Sequence, residues 1–204
     1  KVHLESNYFD EVNMEAVIEA IMKSSVDKIR SIKFVHNKIN DSVVLNMFDK
    51  LGTAKSSPLS IPLEEISLAY DNLTDSCILG LHGIFSQYAH EDTPFSFDFS
   101  GNALSDRGLI MLSELLMQYP ILGKLTLNEL KGLVPEKNNI KPLFENLALN
   151  RSVREISYIG NYTNPKVLKS LINFLGNNNS INRVIIDFDV EAMLTLKPST
   201  FTNN

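Results

Sequence analysis

Apolar residues in this chain recur on two alternating rhythms. In short stretches they occupy every second position, and in the longer stretches between them every third or fourth. The short stretches fit one template: apolar-x-x-apolar-x-apolar-x-x-Asn-x-apolar-x-Asp. Ile29, Ile32, Phe34, Asn37, Ile39 and Asp41 match it, as do Leu63, Ile66, Leu68, Asp71, Leu73 and Asp75. Phe97, Phe99, Asn102, Leu104 and Asp106 match it with Pro94 in the first position, and Val2, Leu4, Asn7, Phe9 and Glu11 form an incomplete copy in phase. Later copies are looser: Leu122, Leu125 and Leu127, with Leu130 in place of Asn; Val153, Ile156, Tyr158 and Asn161; and Ile181, Val184, Ile186 and Asp189. The central apolar residue falls at positions 2, 32, 66, 97, 125, 156 and 184. Alternation of this kind predicts half-buried strands.

Each predicted strand is followed by a stripe of helical period. Met14, Val17, Ile18, Ile21 and Met22 lie on one face; so do Val44, Met47, Phe48 and Leu51; Ile78, Leu81, Phe85 and Tyr88; and Leu109, Leu112, Leu116 and Tyr119. Ile140, Leu143, Phe144 and Leu147, then Leu168, Leu171, Ile172 and Leu175, continue the series. Asp41, Asp75, Asp106 and Asn164 stand just ahead of these stripes as expected N-caps, and Pro165 suits a first helical turn. A strand and a helix repeated about every 30 residues cannot bury a core alone, whereas stacked units can. The expected fold is α/β: a solenoid of about seven units with one parallel sheet and the helices on its other side. The Gly-, Ser- and Pro-bearing stretch from Thr53 to Pro62 is expected to be a surface loop.

The segments Ile66-x-Leu68-x-x-Asp71-x-Leu73-x-Asp75 and Phe97-x-Phe99-x-x-Asn102-x-Leu104-x-Asp106-x-Gly108 resemble the leucine-rich repeat family, closest to its ribonuclease-inhibitor-like long-repeat class. The resemblance spans residues 2 to 189. It implies a right-handed horseshoe with a concave sheet and convex helices, and partner binding on the concave face or its rim. It also implies a ladder of side chains hydrogen-bonded between turns: Asn7, Asn37, Asn102 and Asn161, with Asp71 and Asp189 as substitutes. Leu130 breaks this pattern, so residues 131–138 are expected to be irregular. The divergent repeats and high Asn content are similar to leucine-rich repeat effectors of Legionella-like intracellular bacteria. The Leu-x-x-Asn-x-Ser junction between Leu147 and Val153 resembles tropomodulin-like actin-capping repeats.

Composition narrows the function. The chain has 204 residues, 44% apolar and 21% charged, ample for one folded domain. The domain is expected over 1–189, with a capping or frayed tail over 190–204, as a piece of a longer chain. A net charge of -5 gives no footprint for nucleic acid. No apolar run is long enough to span a membrane. One cysteine, Cys77, excludes an internal disulfide, and the four histidines lack metal-site spacing. Cys77 at a helix start is either a reactive thiol or a buried core residue. Gly101 and Gly108 read as tight turns rather than phosphate-binding glycines. A glycan on Asn161, within Asn161-Tyr162-Thr163, would pull a ladder side chain from its bonds, so a cytosolic setting is expected, the host cytosol for a secreted effector. No cofactor or metal is expected, and the chain is expected to be a monomer.

Strand alternation then sorts the outward residues into rows. One is His3, Lys33, Ser67, Asp98, Thr126, Ser157 and Ile185; the next is Glu5, Val35, Ala69, Ser100, Asn128, Ile159 and Asp187; the third is Ser31, Glu65, Ser96, Lys124, Glu155 and Arg183. Candidate partner-binding residues are Glu65, Ser67, Asp98, Ser100, Thr126, Asn128, Ile159, Ile185 and Asp187. Glu65 and Asp98 suggest an acidic seat for a basic partner; His36, Tyr70 and Asn72 lie on the rim. Ile159 and Ile185 form an apolar end, either an interface or the seat of residues 192–196. The expected function is non-catalytic protein binding. Alternatives are regulation of actin filaments, or of a GTPase through an inserted arginine (Arg30, Arg107, Arg151, Arg154 or Arg183), and an enzyme using Cys77 or a histidine.

Overall fold

The computed structural model describes residues 1–7, 11–23, 29–54, 63–88, 95–134 and 140–187. Strands and helices alternate: β1 (Val2–Glu5), α1 (Glu11–Lys23), β2 (Ser31–Val35), α2 (Asp41–Ala54), β3 (Glu65–Ser67), α3 (Ile78–Tyr88), β4 (Phe95–Asp98), α4 (Asp106–Gln118), β5 (Leu122–Thr126), α5 (Lys141–Leu149), β6 (Glu155–Tyr158), α6 (Pro165–Asn177) and β7 (Arg183–Ile186). All strands are parallel in one seven-stranded sheet, in chain order. The register runs Val2, Ile32, Ile66, Phe97, Leu125, Ile156, Val184, the row the sequence spacing marks out. Each helix packs on its sequence neighbours. The core is therefore a ribbon between sheet and helices rather than a central globule.

Phenylalanines fill the middle of that ribbon. Phe97 stacks on Phe99 at 4.4 Å and meets Phe48 and Phe85 edge-on at 6.1 and 6.3 Å. Phe144 continues the core toward Tyr158 and Phe174. Such offset and edge contacts suit the ring quadrupoles and add to the area buried.

The asparagine ladder is present and continuous through the first four units. Asn37 Oδ1 accepts the Asn7 backbone N–H at 3.0 Å, and Asn37 Nδ2 donates to the Leu4 and Val35 carbonyls. Asp71 Oδ1 accepts the Asn37 N–H. Asn102 Oδ1 accepts the Asp71 and Leu73 N–H groups at 3.1 and 3.0 Å, and its Nδ2 donates to the carbonyls of Leu68, Phe99 and Ser100. After the break at Leu130, Asn161 resumes the role, accepting the Leu130 N–H at 2.7 Å and donating to the Leu127 carbonyl at 2.6 Å. Asp189 lies outside the described residues.

A second set of ties replaces an expectation. Asp41 and Asp75 do not cap their own helices. Asn40 caps α2, Thr74 the short 3-10 turn before α3, and Ser105 caps α4. The freed carboxylates reach into the next unit. Asp41 accepts the Thr74 N–H at 2.9 Å and its hydroxyl; Asp75 accepts the Ser105 N–H at 2.8 Å and its hydroxyl. This also explains Gly108. It sits in the first turn of α4, not in a tight turn, and a Cβ there would come within 2.1 Å of Asp75 Oδ1. Asn164 does cap α6, accepting from the Lys166 and Val167 N–H groups.

A third tie joins the helix ends. Asn150 Nδ2 donates to the Leu116 carbonyl, and Asn178 Nδ2 to the Leu147 and Asn150 carbonyls, while each Oδ1 closes its own Asn-x-Ser turn. Both amides are buried. Asn150-Arg151-Ser152 and Asn178-Asn179-Ser180 also match the glycan-acceptor sequence, and their amide nitrogens, like that of Asn161, are engaged in the folded chain. The α2 helix runs through Ala54, two residues into the expected loop, and 55–62 lie outside the described residues. The expected irregular segment is a turn at 131–132 followed by irregular chain at 133–134, with 135–139 outside the described residues; the tail expected from 190 is outside them as well.

Candidate interaction face

The helix-free side of the sheet carries the outward rows, in the predicted order. Lys33 pairs with Ser67, Ser67 with Asp98, Asp98 with Thr126, Thr126 with Ser157, and Ser157 with Ile185. The third row runs Ser31, Glu65, Ser96, Lys124, Glu155 and Arg183. The row from Ala69 to Ile159 continues as backbone bonds just past the strands, from Tyr70 to Ser100, Gly101 to Asn128 and Glu129 to Ile159.

The chemistry of this face departs from expectation in three ways. First, Ser67 and Ser100 are buried, each 4% exposed. They do not present hydroxyls to a partner. Ser67 donates to Asp98 Oδ2 at 3.4 Å, and the Ser100 hydroxyl accepts the Asn128 N–H at 3.2 Å. Second, Glu65 is not an open charge. Lys33 Nζ stands 2.6 Å from it and the Ser31 hydroxyl donates to it at 2.9 Å. Burial works against its charge, but Lys33 and Ser31 outweigh that and hold the carboxyl below its usual range. Third, Asn128 and Asp187 serve the backbone. Asn128 Oδ1 accepts the Ile159 N–H and the Ser157 hydroxyl, and Asp187 Oδ2 accepts the Gly160 N–H at 2.8 Å.

The cations of the strand rows are likewise engaged. Lys124 lies 2.9 Å from Glu155, which also takes Arg183 at 3.6 Å, and the Lys124 hydrogen bond lowers the Glu155 carboxyl despite some burial. Asp98 is different. Its Oδ1 accepts the Ser100 N–H at 2.9 Å, but no described cation pairs with it. It lines a depression of about 270 Å3 with Lys33, Glu65, Ser96, Lys124 and Thr126, over the strand backbone at Ile66 and Phe97, whose side chains are buried in the core. Thr126 is half-buried. At the far end Ile159 is 37% exposed and Ile185 half-buried; residues 192–196, the expected cover, lie outside the described residues.

Along the rim, one residue per unit adopts a left-handed backbone: Ser6, His36, Tyr70, Gly101, Glu129 and Gly160. This column was invisible in sequence because only two of its members are glycine. Its side chains lie along the solenoid. His36 stacks on Tyr70 at 4.6 Å. The Tyr70 ring occupies the space a Cβ would need at Gly101. Burial, then the neighbouring Glu129 and Asp98 charges, push the Tyr70 phenol up. Asn72, the third rim residue, is exposed and left-handed too.

The rival sites look different once placed. Cys77 is fully buried, in the turn before α3. Burial, then the Asp41 and Asp75 carboxylates, push its thiol far up, opposite to the activation a helix start would supply. We expect native Cys77 to react with a soluble aromatic disulfide at least about a hundredfold slower than in urea; equal rates would place the thiol at the surface. Of the arginines, Arg30 pairs with Glu64, Arg183 with Glu155, and Arg151 and Arg154 donate to the Ala148 and Ser180 carbonyls, leaving Arg107 exposed at the start of α4. His82 is bonded to the Tyr119 hydroxyl at 2.8 Å on the helical side, and His3 faces Glu5. His90 lies outside the described residues. Among the described residues no His, Cys, Asp and Glu side chains gather into a metal-holding group, and no helix is long and apolar enough to cross a membrane.

These features define a repeat α/β solenoid that presents an ordered, largely ion-paired sheet face. No family model matches the chain, and no curated protein does. Among solved structures it is similar to actin-binding site 2 of leiomodin-1, with a TM-score of 0.60 at 13% identity, over 79% of this chain and 87% of that one. At that identity the likeness concerns the fold.

Proposed function

We propose that the chain is a leucine-rich repeat solenoid of the ribonuclease-inhibitor-like long-repeat class, acting as a non-catalytic module that binds another protein through the open sheet face and its rim. The observation that carries this reading is the common register of seven parallel strands, shifted only at Phe95/Ser96 against β5, which lines up one outward residue per unit into continuous rows. Such a rigid, extended surface suits recognition of a macromolecule better than of a small substrate. The test is affinity capture from cell lysate with the chain immobilised, beside Asp98→Arg on the sheet face and Glu19→Arg on the helical side. A protein retained by wild type and Glu19→Arg but lost with Asp98→Arg supports the reading. Retention by all three, or by none, rejects it.

A second reading is an actin regulator. It is favoured by the similarity to a structure named as an actin-binding site and by the Asn-x-Ser junctions at Asn150 and Asn178. Co-sedimentation with filamentous actin and polymerisation of fluorescent monomeric actin decide it; no change in either removes it.

A further inference from the structure

The helical side of the molecule is uneven. Most of its helices show solvent the charged residues expected there, such as Glu19 on α1, Asp49 on α2, Glu145 on α5 and Lys169 on α6. α3 carries no Asp, Glu, Lys or Arg along its length, and its Leu79 is 65% exposed. The outward arc of α4 holds four apolar side chains: Ile110, Met111 and Leu115, all half-buried, and Met117, which is 41% exposed. A helix bordered by water on that face would be polar there. Between α3 and α4 runs a groove of about 430 Å3, with Leu79, Met111 and Leu115 as its apolar walls. The two helices are tied where His82 meets the Tyr119 hydroxyl at 2.8 Å. Two charged side chains are exposed on α4, Arg107 and Glu114. Among the described residues neither has an ion-pair partner. They lie two turns apart on one face of the helix, about 10 Å along its axis.

We propose that this face is the contact of a homodimer, in which α4 packs antiparallel on α4 of a second copy about a two-fold axis between Ile110 and Met111. The charges argue for a copy of this chain over an unrelated helix. Reversing α4 about the midpoint of Arg107 and Glu114 sets each on the other: Arg107 meets Glu114 of the second copy, and Glu114 meets its Arg107. A two-fold interface requires such self-complementarity, because every contact in it is made twice. Ile110 and Met111 then meet their own counterparts at the axis, and Leu79 and Leu115 flank them. α3 tolerates cover because it has no charge to strand. The Arg107–Glu114 pairs stand at the rim, where they fix the antiparallel orientation more than they add affinity. The contact involves two helices a side, each no more than about 20 Å long, which falls short of the area of tight complexes. The dissociation constant is therefore on the order of tens of micromolar. The inference departs from the monomer expected from the sequence, and it goes beyond the protein-binding reading without touching the face that reading uses. The helices and the open sheet face lie on opposite sides, so the dimer carries two free sheet faces and binds a partner with repeated sites with added avidity.

The test is sedimentation velocity of the 204-residue chain over a concentration series reaching about 0.5 mM, well above the expected constant. The average mass is expected to rise from that of a monomer toward twice that value. Glu114→Arg sets like charges together twice per dimer and is expected to weaken association at least about tenfold, and Arg107→Glu is expected to do the same. The variant carrying both Arg107→Glu and Glu114→Arg exchanges the two charges and is expected to recover the wild-type constant within about threefold, as an antiparallel pairing demands. Glu19→Arg and Lys169→Glu, on other helices, change the net charge by the same amounts as the single variants and are expected to leave association unchanged. Melting curves confirm that each variant folds; an acid at position 107 suits the first turn of a helix. A chain that stays monomeric at every concentration overturns the proposal. So does a dimer that ignores both single reversals, or one that the double variant fails to restore. If the chain is monomeric and a protein captured from lysate is lost with Glu114→Arg, the face belongs to that partner and the proposal falls.

Discussion

Asn102→Leu is expected to destabilise the chain by about 3–6 kcal/mol and to lower its melting temperature by roughly 10 °C or more. The size follows from what the side chain holds. It is fully buried, accepts two backbone N–H groups and donates to three carbonyls spread over two units. Leucine fits the volume but bonds to none of them. The N–H groups of Asp71 and Leu73 would be stranded, at about 1–3 kcal/mol each. Urea unfolding followed by circular dichroism measures the loss. A midpoint equal to wild type would show that the ladder bonds contribute nothing and that apolar burial alone joins the units.

Asp71→Asn is expected to do the opposite, and only at neutral or alkaline pH. Asp71 fills a ladder slot, and its Oδ1 accepts as an asparagine would. Its Oδ2 is buried and has no hydrogen-bond partner. By the repeat register this atom stands where Asn102 donates to the Leu68 and Ser100 carbonyls, so an oxygen faces oxygens. Burial raises the carboxyl to about 7, against the pull of the Asn37, Ile39 and Lys38 N–H groups. Its value in the unfolded chain is about 3.9. Between those values the folded state holds a proton the unfolded state has released. Stability from this group is therefore complete below about pH 4, falls as pH rises toward 7, and is flat above. Asparagine removes the titration and supplies the missing donor. The variant should gain on the order of 2–4 kcal/mol at pH 8 and far less at pH 4. A gain of equal size at both pH values would show that Asp71 does not take up a proton on folding.

The rows of the sheet were legible because strand alternation is strict. Once Ile32, Ile66 and Phe97 are in register, Lys33, Ser67 and Asp98 follow. The ladder was legible through the resemblance to leucine-rich repeats, which implies inter-turn bonds for the recurring polar residue, and burial of Asn37, Asp71 and Asn102 agrees with that role. What the spacing could not show was contact between units. Asp41 and Asp75 satisfy the local capping rule as well as Asn40 or Thr74 does, and only the approach of the next unit decides which residue caps. Lys33 and Glu65 lie in adjacent outward rows on neighbouring strands, not opposite each other, so the neutral pair that Glu65 forms appears only when side-chain length is added to register. Ser67 and Ser100 look exposed by alternation and are buried, their hydroxyls bonded to Asp98 and to the Asn128 N–H. The left-handed column could be suspected only at Gly101 and Gly160; at His36, Tyr70 and Glu129 no residue preference announces it.

The aspartate ties between units have an evolutionary consequence. Asp41 grips the backbone and hydroxyl of Thr74, and Asp75 grips the same two groups of Ser105. The two joints are chemically interchangeable. Excising the unit 72–102, the separation of Asp71 from Asn102, would bring Asp41 opposite Ser105 and leave Asp71 in its slot. Nothing at the joints counts turns. A gene encoding such a chain can lengthen or shorten its sheet by whole units through unequal recombination, and the joints it creates are ones the protein already uses.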